Sequence, residues 1–299
     1  MYDKSDPRAS LQTAAPSAQI DAPFFGMDYA KFYESEPQEI SEHARNWYVR
    51  GQNFLVGYSL AKSGAMLARE RQDDEYVVVL PDRSTRLKIT AGAEIVDIAG
   101  FSLTIVPPGP STIEVLSGGA VVRLLTSAAE DLLSLCANNG TYARPHARVA
   151  PLTRWPAPPD GFRVRTYSLD VPVEGRRYGR IWRCTTFMVN YALPREGQRD
   201  ITTLSPHHHD DFEQGSLAVT GEFLHHVRWP WVTNKTYWRE DEHAYCASPS
   251  VAIIPPPAVH TTEATGPSTN QLVDIFCPPR LDFASKAGWV MNENEYPMP

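Results

Sequence analysis

The chain has 299 residues, 42% of them hydrophobic and 21% charged. That is enough apolar content for one large or two ordinary domains, and too much for a disordered chain. A formal charge of −7 argues against a nucleic-acid partner, which asks for a basic face, and the longest apolar runs, such as Val77 to Leu80, fall far short of the roughly 20 residues of a membrane span.

No charged segment followed by an apolar one opens the chain, so no secretory signal is read there. Cys136, Cys184, Cys246 and Cys277 show no CxxC spacing, which argues against a disulfide framework and for a cytoplasmic location. The 26 prolines favour short strands and turns over long helices.

In chain order, residues 1–22 are polar and aperiodic and read as a flexible arm. Asp28 to Arg45 carries helix formers interrupted at Pro37 and reads as a short helix. From Asn46 strands predominate, among them Tyr76–Leu80, Ser102–Val106 and Ala120–Thr126, each bounded by turn residues. Ser127–Cys136 is the best helix, with Ser127 as N-cap and Glu130 three residues on. Thr141 to Gly161 holds five prolines and reads as a linker. A second strand-rich half follows, with strands at Arg163–Leu169, Ile181–Tyr191, Ser216–Val219, Glu222–Trp229, Ser250–Ile254 and Gln271–Phe276. The tail carries Phe283, Trp289 and Tyr296 and is expected to pack back onto the body.

The halves repeat each other. Arg69 to Glu75 lies beside His207 to Glu213 at an offset of 138, and Ile105-Val106-Pro107-Pro108 lies beside Ile253-Ile254-Pro255-Pro256 at an offset of 148. The aromatic-rich stretch Trp229 to Trp238 accounts for the extra residues. Two correspondences in the same order read as two copies of one domain.

His207, His209 and Glu213 stand at H-x-H-x3-E spacing. Residues two apart on a strand share a face, so the two imidazoles project together, and Glu213 keeps that parity if the strand continues. This donor set suits a first-row divalent ion, with His260, just after a proline-fixed turn, as fourth ligand. His208 points the other way; a one-residue slip would make it the ligand instead. Of His225 and His226, one faces inward and one outward. Trp231, with Trp229, Tyr237 and Trp238, reads either as an aromatic wall over the site or as interface and core.

The pattern resembles the cupin superfamily, and the duplication resembles a bicupin. The family's first motif, G-x5-H-x-H-x3/4-E-x6-G, is matched by His207, His209 and Glu213; its second, G-x5-P-x-G-x2-H-x3-N, by Pro255 and His260. Ile201, Pro249, Pro257 and Ala264 depart from the motifs, and Gly221 comes one position late. The first half keeps Pro107 and Gly109 but has Arg69, Arg71 and Thr112 at the histidine positions; only Glu75 remains. Arginine does not ligate, so that half is expected to be metal-free, with Arg69 and Arg71 paired to Glu75 or Asp73.

The resemblance implies an all-β fold of two tandem antiparallel barrels of the jelly-roll type, with a few short helices. It divides the chain into the arm (1–22), a degenerate barrel (23–145), a linker (146–161) and a metal-binding barrel with its tail (162–299). One divalent ion is expected on His207, His209, Glu213 and His260, with Fe(II) first and Zn, Mn or Ni as alternatives, Glu213 doubling as a base, and a substrate pocket near His226, Trp231 and Tyr191. The expected activity is that of a non-haem dioxygenase on a small aromatic or oxygenated organic acid. The alternatives are a redox-neutral isomerase, epimerase or lyase on a sugar acid, and a non-catalytic binding cupin. Partners are then a small-molecule substrate and a second copy in a homodimer, with no nucleic acid and no membrane.

Overall fold

The structure is a computed structural model describing residues 23–173 and 179–299; the expected N-terminal arm lies outside them. In chain order its strands are β1 (Asp28–Lys31), β2 (Glu39–Ile40), β3 (Ala44–Arg50), β4 (Phe54–Ala61), β5 (Met66–Arg69), β6 (Tyr76–Leu80), β7 (Arg86–Ala91), β8 (Glu94–Ala99), β9 (Ser102–Val106), β10 (Ser111–Ser117) and β11 (Gly119–Thr126). A one-turn helix α1 (Glu130–Leu133) precedes β12 (Arg165–Ser168), β13 (Arg180–Arg183), β14 (Met188–Tyr191), β15 (Arg195–Glu196), β16 (Gln214–Thr220) and β17 (Glu222–Arg228). Last come β18 (Glu242–Ala247), β19 (Ser250–Ile254), β20 (Val259–Ala264), β21 (Thr269–Phe276) and α2 (Leu281–Ala284). The fold is all-β and antiparallel, as the turn-limited strands predict. No helix of the described residues is long and apolar enough to cross a membrane.

Three local expectations are corrected. Asp28 to Arg45 holds β1, β2 and the start of β3 rather than a helix, because Asp28 to Lys31 form a ladder on Ile253 to Ser250 and tertiary pairing overrides weak helix propensity. The helix over Ser127–Cys136 shrinks to the single turn Glu130–Leu133 behind Ala129, which offers no side-chain cap, while the Ser127 amide donates to the Asn53 carbonyl at 2.9 Å. Ile181–Tyr191 folds back as the hairpin β13–β14.

Two large sheets carry the architecture. One runs β12-β9-β6-β11-β4-β3-β2 and the other β1-β19-β16-β21-β14-β13, with β15 also on β21. Apart from β2 and β15 they correspond position by position, and each borrows its first strand from the other half: β1 edges the second half's sheet and β12 the first half's. Their facing sides share one apolar core, in which Val77, Val79 and Leu124 meet Leu217, Val251 and Ile275. On the outer side of each lies a smaller sheet, β5-β10-β7-β8 in the first half and β18-β17-β20 in the second.

The two interiors differ in chemistry. The first is filled by Tyr76, Val78, Leu80, Leu87, Ile89 and Ile113. At the same 138-residue offset the inward positions of β16 are Gln214, Ser216 and Ala218. Two apolar side chains and a tyrosine give way to shorter or polar ones, so the second interior carries hydrogen-bonding groups where the first is aliphatic.

Candidate metal centre

His207 and His260 lie in an antiparallel bridge, their backbones exchanging N–H···O bonds of 3.0 and 2.7 Å. Each ring is then oriented by the carbonyl two residues back: His207 Nδ1 donates to Ser205 O at 3.0 Å, and His260 Nδ1 to Ala258 O at 2.9 Å. A carbonyl only accepts, so the proton sits on Nδ1 and Nε2 is the unprotonated nitrogen of each ring, the kind that ligates. His209 is held through its other nitrogen. Gln214 donates Nε2 to Asp274 Oδ1 at 3.0 Å, which turns its amide oxygen to His209 Nε2 at 2.9 Å and leaves Nδ1 as the ligating atom. Asn190 steadies Asp274 from behind at 2.9 Å.

The three rings are buried, and their potential ligand atoms lie within 4.8 Å of one another. Burial first, then Arg280 and the other two imidazoles, pushes the His209 pKa well below the usual value. A neutral ring is the ligating form. Three rings oriented in this way fit a divalent transition ion of the kind imidazole prefers.

Glu213 stands apart from this set. Its Oε2 accepts the Gln52 amide at 2.5 Å and its Oε1 the Tyr142 hydroxyl at 3.0 Å, both from the first half. Burial pushes its pKa up to about 7. Glu75 does the same in reverse. Its Oε2 accepts the Thr185 amide at 2.9 Å and hydroxyl at 2.7 Å, and its Oε1 the Tyr296 hydroxyl at 2.7 Å, all from the second half. Gln52 and Thr185 occupy matching hairpin turns, and Tyr142 and Tyr296 follow the matching helices α1 and α2. The motif glutamate thus makes equivalent contacts across the interface in the half with histidines and in the half without them.

The remaining expected site residues are not brought to the triad. His208 is half exposed beside Asp210. In β17 the inward positions are Phe223, His225 and Val227, so His226 lies on the outer face, 2.8 Å from His243 Nδ1 and 3.0 Å from Glu263 Oε2. Trp231 is 78% exposed and stacks on Trp238 with centroids 4.6 Å apart. Tyr191 is buried between the large sheets, edge-on to Phe101. Sequence reasoning passed over Gln214 and Asp274, which orient His209, and placed His226 rather than His225 in the expected pocket. The signal was available for Gln214, which falls opposite Tyr76 when the repeats are aligned.

In the first half, Arg69 pairs in register with Ser111, as His207 does with His260. The inward counterpart is therefore Ser111, not Thr112. Arg69 is buried and forks onto Asp131 of α1 at 2.5 and 2.9 Å, rather than onto Glu75, and holds the Asp131 carboxyl below its ordinary range. Arg71 is exposed and pairs with Asp73. Arg69→Ala is expected to cost about 2–3 kcal/mol, because it strips Gln72 and the Arg71 carbonyl of a buried donor. Arg71→Ala should leave the urea midpoint where it is; equal losses from the two would contradict this assignment.

No protein-family model matches the chain, and no curated protein matches it. Solved structures do. The oxalate decarboxylase of Lactobacillus farciminis, solved with formate, gives a TM-score of 0.55 at 13% identity over 94% of this chain and 90% of that one. A mutant of the Bacillus subtilis oxalate decarboxylase OxdC gives 0.56 at 16% identity, covering 93% and 80%. AerE from Microcystis aeruginosa gives 0.55 at 10% identity, covering 82% and 97%. Identities this low speak for the fold alone: the chain has the fold of a cupin. With its two corresponding sheets and repeated motif positions, it has that fold twice over.

Proposed function

We propose that the second barrel is a mononuclear metal centre and that the chain is a metal-dependent enzyme acting on a small oxygenated organic acid. The observation that supports this reading is the set of three buried imidazoles with fixed tautomers facing polar side chains, in a repeat whose other copy is aliphatic at the matching positions. His207, His209 and His260 would hold the ion, which supplies Lewis acidity and, as Fe(II), activation of O2. Three neutral ligands leave its charge uncompensated, which favours an anionic substrate. Glu213, engaged with Gln52 and Tyr142, is assigned to the interface between the halves.

The first reading of the reaction is dioxygenase-type oxidation. The second is a redox-neutral lyase using manganese, favoured by the likeness to oxalate decarboxylases, one of which is described with Mn(II) centres. Elemental analysis of untagged protein, purified anaerobically without added metal, is the test. Near-stoichiometric iron, absent from the His207→Ala/His260→Ala variant, supports the oxygenase and directs assays to organic acids under O2. Manganese shifts the reading to the lyase. A well-folded protein that binds no added divalent ion overturns the metal centre.

A further inference from the structure

His225 is buried on the inner face of β17. It lies directly opposite Thr262, while His260 lies opposite Val227. His225 and His260 are therefore diagonal neighbours on one face of the strand pair, a relation that places Cβ atoms about 7–8 Å apart or less. Its Nδ1 is 3.1 Å from Thr262 Oγ1, and its Nε2 is buried with no hydrogen-bond partner among the described residues. Ser216 Oγ, on the inward side of β16, is in the same condition. The inward positions of β7 in the first barrel are Leu87 and Ile89. A polar ring thus stands in the second barrel where its repeat has aliphatic core.

A buried nitrogen without a partner costs about 1–3 kcal/mol, so its presence at a core position asks for a ligand. The His225 nitrogens fall outside the set of donor atoms lying within 4.8 Å of one another. The ring is thus too far to join the triad on one ion, but within reach of a molecule bound there. Burial first, then His260 and His226, pushes its pKa down to about 3. Burial thus favours a neutral, hydrogen-bonding ring.

We propose that His225 Nε2 hydrogen-bonds a ligand oxygen that the metal does not hold, with Thr262 fixing the ring from the other side. The ligand class is a short carboxylate carrying a second oxygen one or two bonds away, one oxygen on the metal and one on His225. This rests on the metal centre proposed above and adds a binding residue to it.

The test uses full-length protein loaded with Co(II), whose visible spectrum reports its coordination, titrated with oxalate and separately with formate. His225→Phe, His225→Gln and Thr262→Val are compared with the parent. Co(II) stoichiometry should be equal in all four. The apparent Kd for oxalate should rise about 10- to 100-fold in His225→Phe, less in Thr262→Val, and recover in part in His225→Gln, whose amide nitrogen lies near the position of Nε2. Formate, too short to reach both groups, should discriminate far less. If His225→Phe folds poorly, the order of Thr262→Val and His225→Gln against the parent decides. Full Co(II) with oxalate binding within twofold across the set overturns the role of His225. A parent chain that takes up no Co(II) overturns instead the metal centre beneath it.

Discussion

Glu75→Ala should lower the thermal midpoint by about 5–10 °C, although Glu75 lies in the half without the triad. Both of its oxygens are occupied, the side chain is fully buried, and its partners Thr185 and Tyr296 belong to the other half. Truncation leaves two buried hydroxyls and one amide without their acceptor and opens a cavity beside them, together on the order of 3–5 kcal/mol. For a chain of this size that corresponds to the stated shift. Tyr296→Phe, which removes one donor and keeps the ring, should lose well under half as much. Calorimetry of the three proteins side by side checks this, and a Glu75→Ala midpoint within 1–2 °C of the parent would show that the reciprocal contacts do not hold the halves together.

The pH dependence of metal-free protein should separate Glu213 from the buried histidines. A carboxyl whose folded pKa is raised from 4.5 to about 7 binds its proton more tightly in the folded state. Its stabilisation is present in full below about pH 4.5 and is lost as pH rises through 7, on the order of 3 kcal/mol in all. His225 and His146, held down at about 3 and about 4 by burial, act in the opposite sense. Their stabilisation is present above about pH 6.5 and fades as pH falls through those values. The difference between parent and Glu213→Gln cancels the histidines. Relative to the parent, Glu213→Gln should gain stability from pH 5 to about pH 7 and level off above it, read as urea midpoints, and in separate loading experiments should keep full metal stoichiometry. Parallel midpoints across that range would remove Glu213 as the titrating group, and loss of metal would return it to the ligand set.

Much of the architecture was legible because it is local. The strands β6, β9 and β19 are continuous runs of β-branched and aliphatic residues closed by proline turns, and their limits coincide with those read from the sequence. His207, His209 and His260 were legible through alternation and the repeat offset. What escaped depends on contacts between distant parts of the chain. Nothing in Asp28-Tyr29-Ala30-Lys31 announces an edge strand for residues more than 200 positions away. The fate of Glu213 turns on Gln52 and Tyr142, which only the stacking of the two sheets brings near. His226 was preferred over its neighbour because parity alone does not say which member of an adjacent pair faces inward; the register of β17 on β20 does.

The exchange of β1 and β12 between the large sheets bears on how such a chain arises. Each half gives the other an edge strand, a hairpin-turn amide and a tyrosine hydroxyl, and receives the same in return. That reciprocity is the signature of an isologous contact between identical subunits, here written along one polypeptide. The simplest ancestor is a single-barrel protein that paired by trading its first strand, whose gene was then doubled and joined. Each half lacks an edge strand that the other supplies, so severing the chain within 146–161 should yield two fragments that fold only on each other.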